Sequence, residues 1–240
     1  MTNHDSNLTL SERRTNILET VEQSGFATIE TLAERFRVSA QTVRRDIIAL
    51  ANAGRLQRFH GGAGPVDQAE AARLDYSAKR NIARPEKQIV GRRAAKLIPD
   101  GATLYLDVGT TIEACAVELA KRPSFTVFTN SMPAAMKFDP AHHQVHLLGG
   151  RMAGRDGSLV GAEIVDRLRN VLLDYALIAC SAIDQDDRVM DFDVDKIAIK
   201  QAALQSARHP FLLATRSKFN RTALAVVASV EDFDQVISEG

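Results

Sequence analysis

The chain of 240 residues is poor in cysteine, in long apolar runs and in net charge. Its two cysteines, Cys115 and Cys180, stand far apart. They suggest neither a disulfide framework nor a paired-cysteine zinc site, which suits a reducing cytoplasm. No apolar stretch approaches the roughly 20 residues that span a bilayer, and Met1 to Asn7 is polar rather than signal-like. The expectation is a cytoplasmic chain without a membrane partner. Thirty basic residues cancel thirty acidic ones, which argues against a uniformly basic surface. No G-x-x-x-x-G-K-[ST] run and no G-x-G-x-x-G run is present. ATP and NAD are therefore disfavoured, and no cofactor is expected.

What is present is an ordinary globular composition, 45% hydrophobic and 25% charged, long enough for one or two domains. The first sixty residues read as three short helices and a hairpin. Ser11 is a candidate N-cap for a helix with Ile17, Leu18 and Val21 on one face, and Gly25 is its stop. Thr28 opens a second helix with Leu32 and Phe36 inward. Ser39 can cap a third, in which Val43, Ile47 and Leu50 recur at i, i+4 and i+7, ending at Gly54. Leu56 to Ala63 reads as a strand and turn closed by Gly61 and Gly62. These features place one domain at 1–62 and a linker or interdomain helix at 63–84.

From Pro85 a helix runs to about Ile98. Short apolar runs then alternate with helical stretches: Thr103 to Leu106, Thr126 to Phe128, Val145 to Leu148, Tyr175 to Ala179 and Phe211 to Ala214. The alternation predicts an α/β domain over 85–240, with a largely parallel sheet and helices on its faces.

The zero net charge conceals a concentration. Arg35, Arg37, Arg44, Arg45, Arg55 and Arg58 face the single acid Asp46 between residues 35 and 62, so that segment carries +5 and the remainder −5. With Val43, Ile47 and Leu50 inward, Gln41, Arg45 and Asn52 point away and Arg44 lies on the flank. Arginine, glutamine and asparagine are side chains that read base edges, and a capped helix N-terminus can approach a phosphate. A short helix, a tight turn and a capped, arginine-bearing helix match the helix-turn-helix, with the hairpin as a wing. Charge and periodicity alone equally suit a solvated face of a small bundle.

In the second domain, strands end in Asp107-Val108-Gly109-Thr110-Thr111, Thr129-Asn130-Ser131 and Gly149-Gly150-Arg151, the last followed by Arg155-Asp156-Gly157-Ser158 and Gly161. Each loop alone suits a plain turn. Three in succession at strand ends point to a small polar ligand at the carboxyl edge of the sheet. Cys115 lies in an apolar helix and reads as a core residue. His142, His143 and His146 lack further ligands for a metal and read as a polar loop; no metal is expected. Asp184, Asp186 and Asp187 suit a cation or an acidic turn beside Arg188.

Val38-Ser39-Ala40-Gln41-Thr42-Val43-Arg44-Arg45-Asp46-Ile47, with Arg58-Phe59-His60-Gly61-Gly62-Ala63, resembles the N-terminal signature of the DeoR family of bacterial transcription regulators. Asp107-Val-Gly-Thr-Thr, Thr129-Asn-Ser, Leu148-Gly-Gly, Gly157 to Gly161, Asp191-Phe-Asp and Ser217-Lys218-Phe219 resemble the ordered motifs of that family's effector domain. The loop at Arg155 and the stretch Asp191-Phe192-Asp193 are most similar to the family's glycerol-3-phosphate regulon repressors. The chain departs from the pattern at Ala179-Cys180-Ser181-Ala182, where the family has a glycine-rich stretch, and near Lys196, where it usually has an acid.

The resemblance implies a winged helix-turn-helix joined to a domain related in fold to ribose-5-phosphate isomerase and CoA transferases. It implies DNA contacts from Ser39, Gln41, Thr42, Arg44 and Arg45, with Arg58 and His60 in the wing. It implies an effector held by Asp107, Gly109, Thr110, Thr111, Thr129, Asn130, Ser131, Gly150, Arg155, Gly157, Ser158 and Asp184, with Lys200 and Lys218 offering charge to a phosphate. Without the resemblance both lysines read equally well as surface residues. The expected function is a repressor of carbohydrate or polyol catabolism genes. It would bind double-stranded operator DNA as a homodimer or homotetramer and be released by a phosphorylated sugar or polyol, with glycerol 3-phosphate one candidate. The alternatives are a sugar-phosphate isomerase-like enzyme with an accessory N-terminal module, for which Asp107, Asp184 and Lys218 are available acids and bases, or an N-terminal module that binds protein.

Overall fold

The computed structural model describes residues 9–24, 26–59, 61–65, 83–153 and 156–240. The chain divides into two compact units, Met1–Leu74 with Arg221–Leu224, and Asp75–Asn220 with Ala225–Gly240. The expected linker at 63–84 falls largely outside the described residues, as do Gly25, His60 and Arg155. Among the described residues no helix is long and apolar enough to cross a membrane.

The first unit holds α1 (Leu10–Ser24), β1 (Ala27–Thr28), α2 (Ile29–Phe36), α3 (Ala40–Asn52), β2 (Gln57–Phe59) and β3 (Gly62–Gly64). Ser11 is not the cap of α1. The Thr9 hydroxyl accepts from the Glu12 amide, and the Glu12 carboxylate accepts from the Thr9 amide at 2.9 Å, so the reciprocal pair starts the helix two residues earlier. Thr28 caps α2 and Ser39 caps α3 as their sequence positions predict. Ile17, Leu18, Val21, Leu32, Val43, Ile47 and Leu50 form one core, while Phe36 is only partly buried against it. The hairpin gains β1 as a third strand, in the order β1-β3-β2. Two residues carry too little alternation to announce a strand.

The second unit is a three-layer α/β domain. It contains α4 (Arg84–Leu97), β4 (Thr103–Leu106), α5 (Thr110–Leu119), β5 (Thr126–Thr129), α6 (Met132–Ala135), β6 (Gln144–Leu147), β7 (Arg151–Ala153), β8 (Ser158–Val160), α7 (Ala162–Arg169), β9 (Leu173–Ala179), β10 (Ala182–Ile183), β11 (Arg188–Asp191), α8 (Val194–Ser206), β12 (Ala207–Leu213), β13 (Ala225–Ser229) and β14 (Gln235–Ile237). Six strands form a sheet of order β14-β12-β9-β4-β5-β6, every neighbouring pair parallel. Strand residues alternate between two cores. Tyr105, Phe128, Ala176 and Ile178 pack with α7 and α8, whereas Leu104, Leu106, Val127 and Leu177 pack with α4 and α5. Burial on both faces is why these strands read as continuous apolar runs.

The chain runs from β4 outward through β5 to β6, then returns on the other side of β4 as β9 and continues outward through β12 to β14. The order therefore reverses between β4 and β9. At such a point adjacent strands lead their loops apart and leave a crevice at their carboxyl ends. A small antiparallel sheet, β10-β11-β13, and a β7-β8 hairpin complete the unit.

Candidate functional site

In the first unit, α2 ends on Arg37 with φ 52°, a left-handed turn that re-aims the chain within two residues. The Ser39 hydroxyl then accepts from the Thr42 amide at 3.1 Å and shares a 2.9 Å bond with the half-buried Thr42 hydroxyl. Val43, Ile47 and Leu50 are buried, which leaves Gln41, Arg44, Arg45 and Asn52 exposed on one helix, with Ser39 exposed at its start. Arg58 is exposed on β2. The acid of this segment, Asp46, does not dilute that face. It is 1% exposed and accepts from Arg13 Nε at 2.6 Å and Arg14 Nε at 3.0 Å, so arginines of α1 neutralise it inside the unit.

In the second unit the expected ligand residues converge on the carboxyl edge of the parallel sheet, many of them engaged in building it. Asp107, following β4, is buried and accepts from the Ala179 amide at 3.0 Å, which ties the ends of β4 and β9 together. Its second partner is Lys200 of α8, which also donates to the Ala179 carbonyl at 2.8 Å and lies 3.4 Å from Asp191. Lys200 is 1% exposed, which overturns its reading as a surface lysine. Burial opposes its charge, but the carboxylates of Asp107 and Asp191 outweigh that and hold its proton above the usual lysine range. Burial lifts the Asp107 carboxyl against the pull of Lys200. Burial also acts on Asp191, yet Lys200 and the Ser181 hydroxyl, at 2.7 Å, bring it below the ordinary carboxylate value. The sequence reading passed over Asp191 as an individual ligand of this cluster. Its signal is the spacing of Ile197, Lys200 and Ala203, which puts the lysine on the buried stripe of α8.

The β5 loop is equally committed. The Thr129 hydroxyl donates to the Leu106 carbonyl at 2.6 Å and accepts from the Ser131 amide at 3.0 Å. Asn130 accepts from the Tyr105 hydroxyl at 2.8 Å and donates to the Leu159 carbonyl at 2.7 Å. The Ser131 hydroxyl caps α6. Ser158 donates its hydroxyl to Ala153 and Asp156, and Asp156 pairs with Lys196 at 2.7 Å. Lys196 thus pins the 156–158 loop to α8. The Gly157 carbonyl accepts from the Met132 amide at 3.0 Å. A side chain on Gly150 would come within 2.5 Å of the Val160 carbonyl oxygen, so only glycine lets these loops meet.

Among the expected ligand residues, Gly109, Thr110 and Lys218 are only partly buried. Gly109, at φ 130°, precedes α5 and lies close enough to Ala179 that an added Cβ would sit 3.7 Å from its side chain. Thr110 opens α5 half-exposed, followed by the buried Thr111. Lys218 is half-exposed on the turn after β12 and makes no ion pair among the described residues. Asp184 instead closes the β10-β11 turn, accepting from the amides of Asp186 and Arg188 and from Arg188 Nε.

Burial pushes the thiols of Cys115 and Cys180 up to about 12, so neither is a nucleophile at neutral pH. No metal-holding cluster occurs among the described residues. The histidines do not form a polar loop throughout: His143 is buried between Phe125 and Phe138, and His146 lies within β6, stacked on Phe128 at 4.5 Å.

Residues 13–69 match the family model of the DeoR-like helix-turn-helix domain, and residues 82–240 match that of the DeoR C terminal sensor domain. The chain is 33% identical over 234 residues to the glycerol-3-phosphate regulon repressor of Escherichia coli, covering 95% of this chain and 90% of that one. It is 30% identical over 229 residues to the transcriptional repressor GlcR of Bacillus subtilis, covering 95% and 88%. Among solved structures, ribose 5-phosphate isomerase A of Methanocaldococcus jannaschii overlaps 57% of this chain and 55% of its own, at TM-score 0.43 and 17% identity. With both domain models matched in order and repressors similar along nearly its full length, the chain belongs to the DeoR family of sugar-responsive transcriptional repressors and is a regulator, not an enzyme.

Proposed function

We propose that this repressor reads operator DNA with α3 in the major groove and is released when a phosphorylated sugar or polyol enters the crevice between β4 and β9. The observation that carries the reading is the exposed face of Gln41, Arg44, Arg45 and Asn52 on a helix whose one acid is turned inward. Gln41, Arg44 and Arg45 supply base and phosphate contacts, Ser39 and Thr42 present the helix N-terminus, and Arg58 and His60 lie along the backbone. The module comprises residues 1–62, the linker 63–84 and the sensor 85–240.

In the sensor, Gly109, Thr110 and Thr111 offer amides and hydroxyls at the start of α5, and Lys218 offers the charge for a phosphate. Asp107, Lys200, Thr129, Asn130, Ser131, Gly150, Gly157 and Ser158 hold the loops that shape the crevice. Glycerol 3-phosphate is the first effector to try, because the E. coli relative is named for its regulon. Release requires the effector to favour one arrangement of the protein, since equal affinity for both would shift nothing. A small reading head further requires a homo-oligomer to span two half-sites, and the protein acts in the cytoplasm.

The test is a fluorescence titration of DNA from the region upstream of the chain's own gene, at two salt concentrations, with a panel of phosphorylated sugars and polyols. Saturable, salt-dependent binding that one effector class reverses is expected. Binding indifferent to every member of the panel would overturn the effector reading.

A further inference from the structure

We infer that β6 is the edge through which two copies of this chain join, pairing strand to strand about a twofold axis. The inference names the surface for the homo-oligomer proposed above and rests on that reading for its purpose, but its geometry stands on the sensor domain alone.

β6 is an open edge of the six-stranded sheet. Gln144 and Leu148 donate their amides inward to Phe125 and Thr129 of the β5 segment. Because backbone groups alternate sides along a strand, Val145 and Leu147 turn theirs outward, where no strand of this chain meets them among the described residues. Single domains blunt such an edge with lysine, proline or a bulge. The segment Gln144-Val145-His146-Leu147 has none of these, and Leu147 is 45% exposed. The opposite edge, β14, is flanked by Asp234, paired with His209, and by Glu239, which accepts from the Arg216 amide.

A second copy satisfies the edge in one symmetric register. A twofold axis normal to the sheet sets the two β6 strands antiparallel. Val145 then exchanges hydrogen bonds with Leu147 of the second copy, and Leu147 with its Val145, with His146 at the axis. The same operation keeps α7 on one face in both copies and reverses its direction. The helix and the strand end line a groove of about 400 Å³ with His146, Leu147 and Gly149 on one side and Glu163, Ile164 and Arg167 on the other. Glu163 and Arg167 are exposed, stand four residues apart and make no ion pair with each other or with any described residue. Reversal brings Glu163 of one copy toward Arg167 of the other, twice, so the flanking charges are self-complementary.

Sedimentation equilibrium of the full chain, without DNA, tests the surface separately from operator reading. The wild type is expected to associate. Val145→Pro, which removes an outward donor without touching the β5 ladder, and Leu147→Lys should each weaken association at least about tenfold while the circular dichroism stays native. Glu163→Arg and Arg167→Glu should each weaken it, and the double exchange should recover most of the loss. A monomeric wild type at all concentrations, or association unmoved by Val145→Pro and Leu147→Lys, overturns the inference, as does a double exchange no better than either single. An intact interface with no operator binding would instead sink the DNA reading and leave this one standing.

Discussion

Lys200 and Asp107 are 93 residues apart in sequence and form a buried ion pair in which each side chain is 1% exposed. The pair joins α8 to the end of β4 at the point where the sheet order reverses. It ties the strand ends that border the proposed crevice into the core, so loss of the pair would damage the fold as well as the proposed site.

Lys200→Met leaves two carboxylates, Asp107 and Asp191, without their cation. Removing one partner of a buried pair costs about 3 to 5 kcal/mol. Urea denaturation should show a loss of that order for the sensor domain, partly recovered when Asp107→Asn is added. A loss below about 1 kcal/mol would mean the pair is solvated.

Arg44→Ala and Arg45→Ala act on the reading helix without disturbing its core, because both side chains are exposed. For any arginine that grips a guanine, operator affinity should fall by about 1 to 3 kcal/mol, while melting of the protein is unchanged. An unaltered affinity in the double variant would remove α3 from the interface.

Thr110→Ala and Lys218→Ala test the crevice. Neither side chain holds a fold contact described above, so operator affinity should match the wild type and effector-driven release should weaken. Dose–response curves of release, wild type against variants, give the answer; superimposable curves would place the effector elsewhere.

The Asp156–Lys196 pair gives the sensor an acid limit. Burial alone would raise the Asp156 carboxyl, but Lys196 and Ser158 bring it below its ordinary value of 3.8. A carboxylate lowered on folding contributes stability that is complete above its unfolded value and is lost as pH falls through the folded one. Melting temperature should therefore drop below about pH 4, and Asp156→Asn should flatten that drop and lower the neutral-pH value modestly, since the pair is partly solvated.

Five of the six parallel strands were legible as apolar runs; in central strands such as Thr103 to Leu106 that run reflects burial on both faces, whereas the three-residue β14 was too short to read. The recognition helix was legible because Ser39, Val43, Ile47 and Leu50 state its cap and its period together. The antiparallel strands β10, β11 and β13 were not. They are short; of the two readings open for Asp184, Asp186 and Asp187, a cation site or an acidic turn beside Arg188, the structure shows the turn. At the crevice, the residue types were legible and their tasks were not. Asp107, Thr129 and Asn130 are polar residues at strand ends whether they bind a ligand or hold a loop, and only the positions of Ala179, Leu106 and Tyr105 show the second task being performed.

The reversal of strand order also has a consequence for synthesis. Asp107 emerges from the ribosome long before the amide of Ala179 and the ammonium of Lys200 that complete it. No nascent chain shorter than this can possess the crevice, and its closure is a long-range event of the slow kind. The sensing half is thus finished late in translation, after the helix-turn-helix sequence has already left the ribosome.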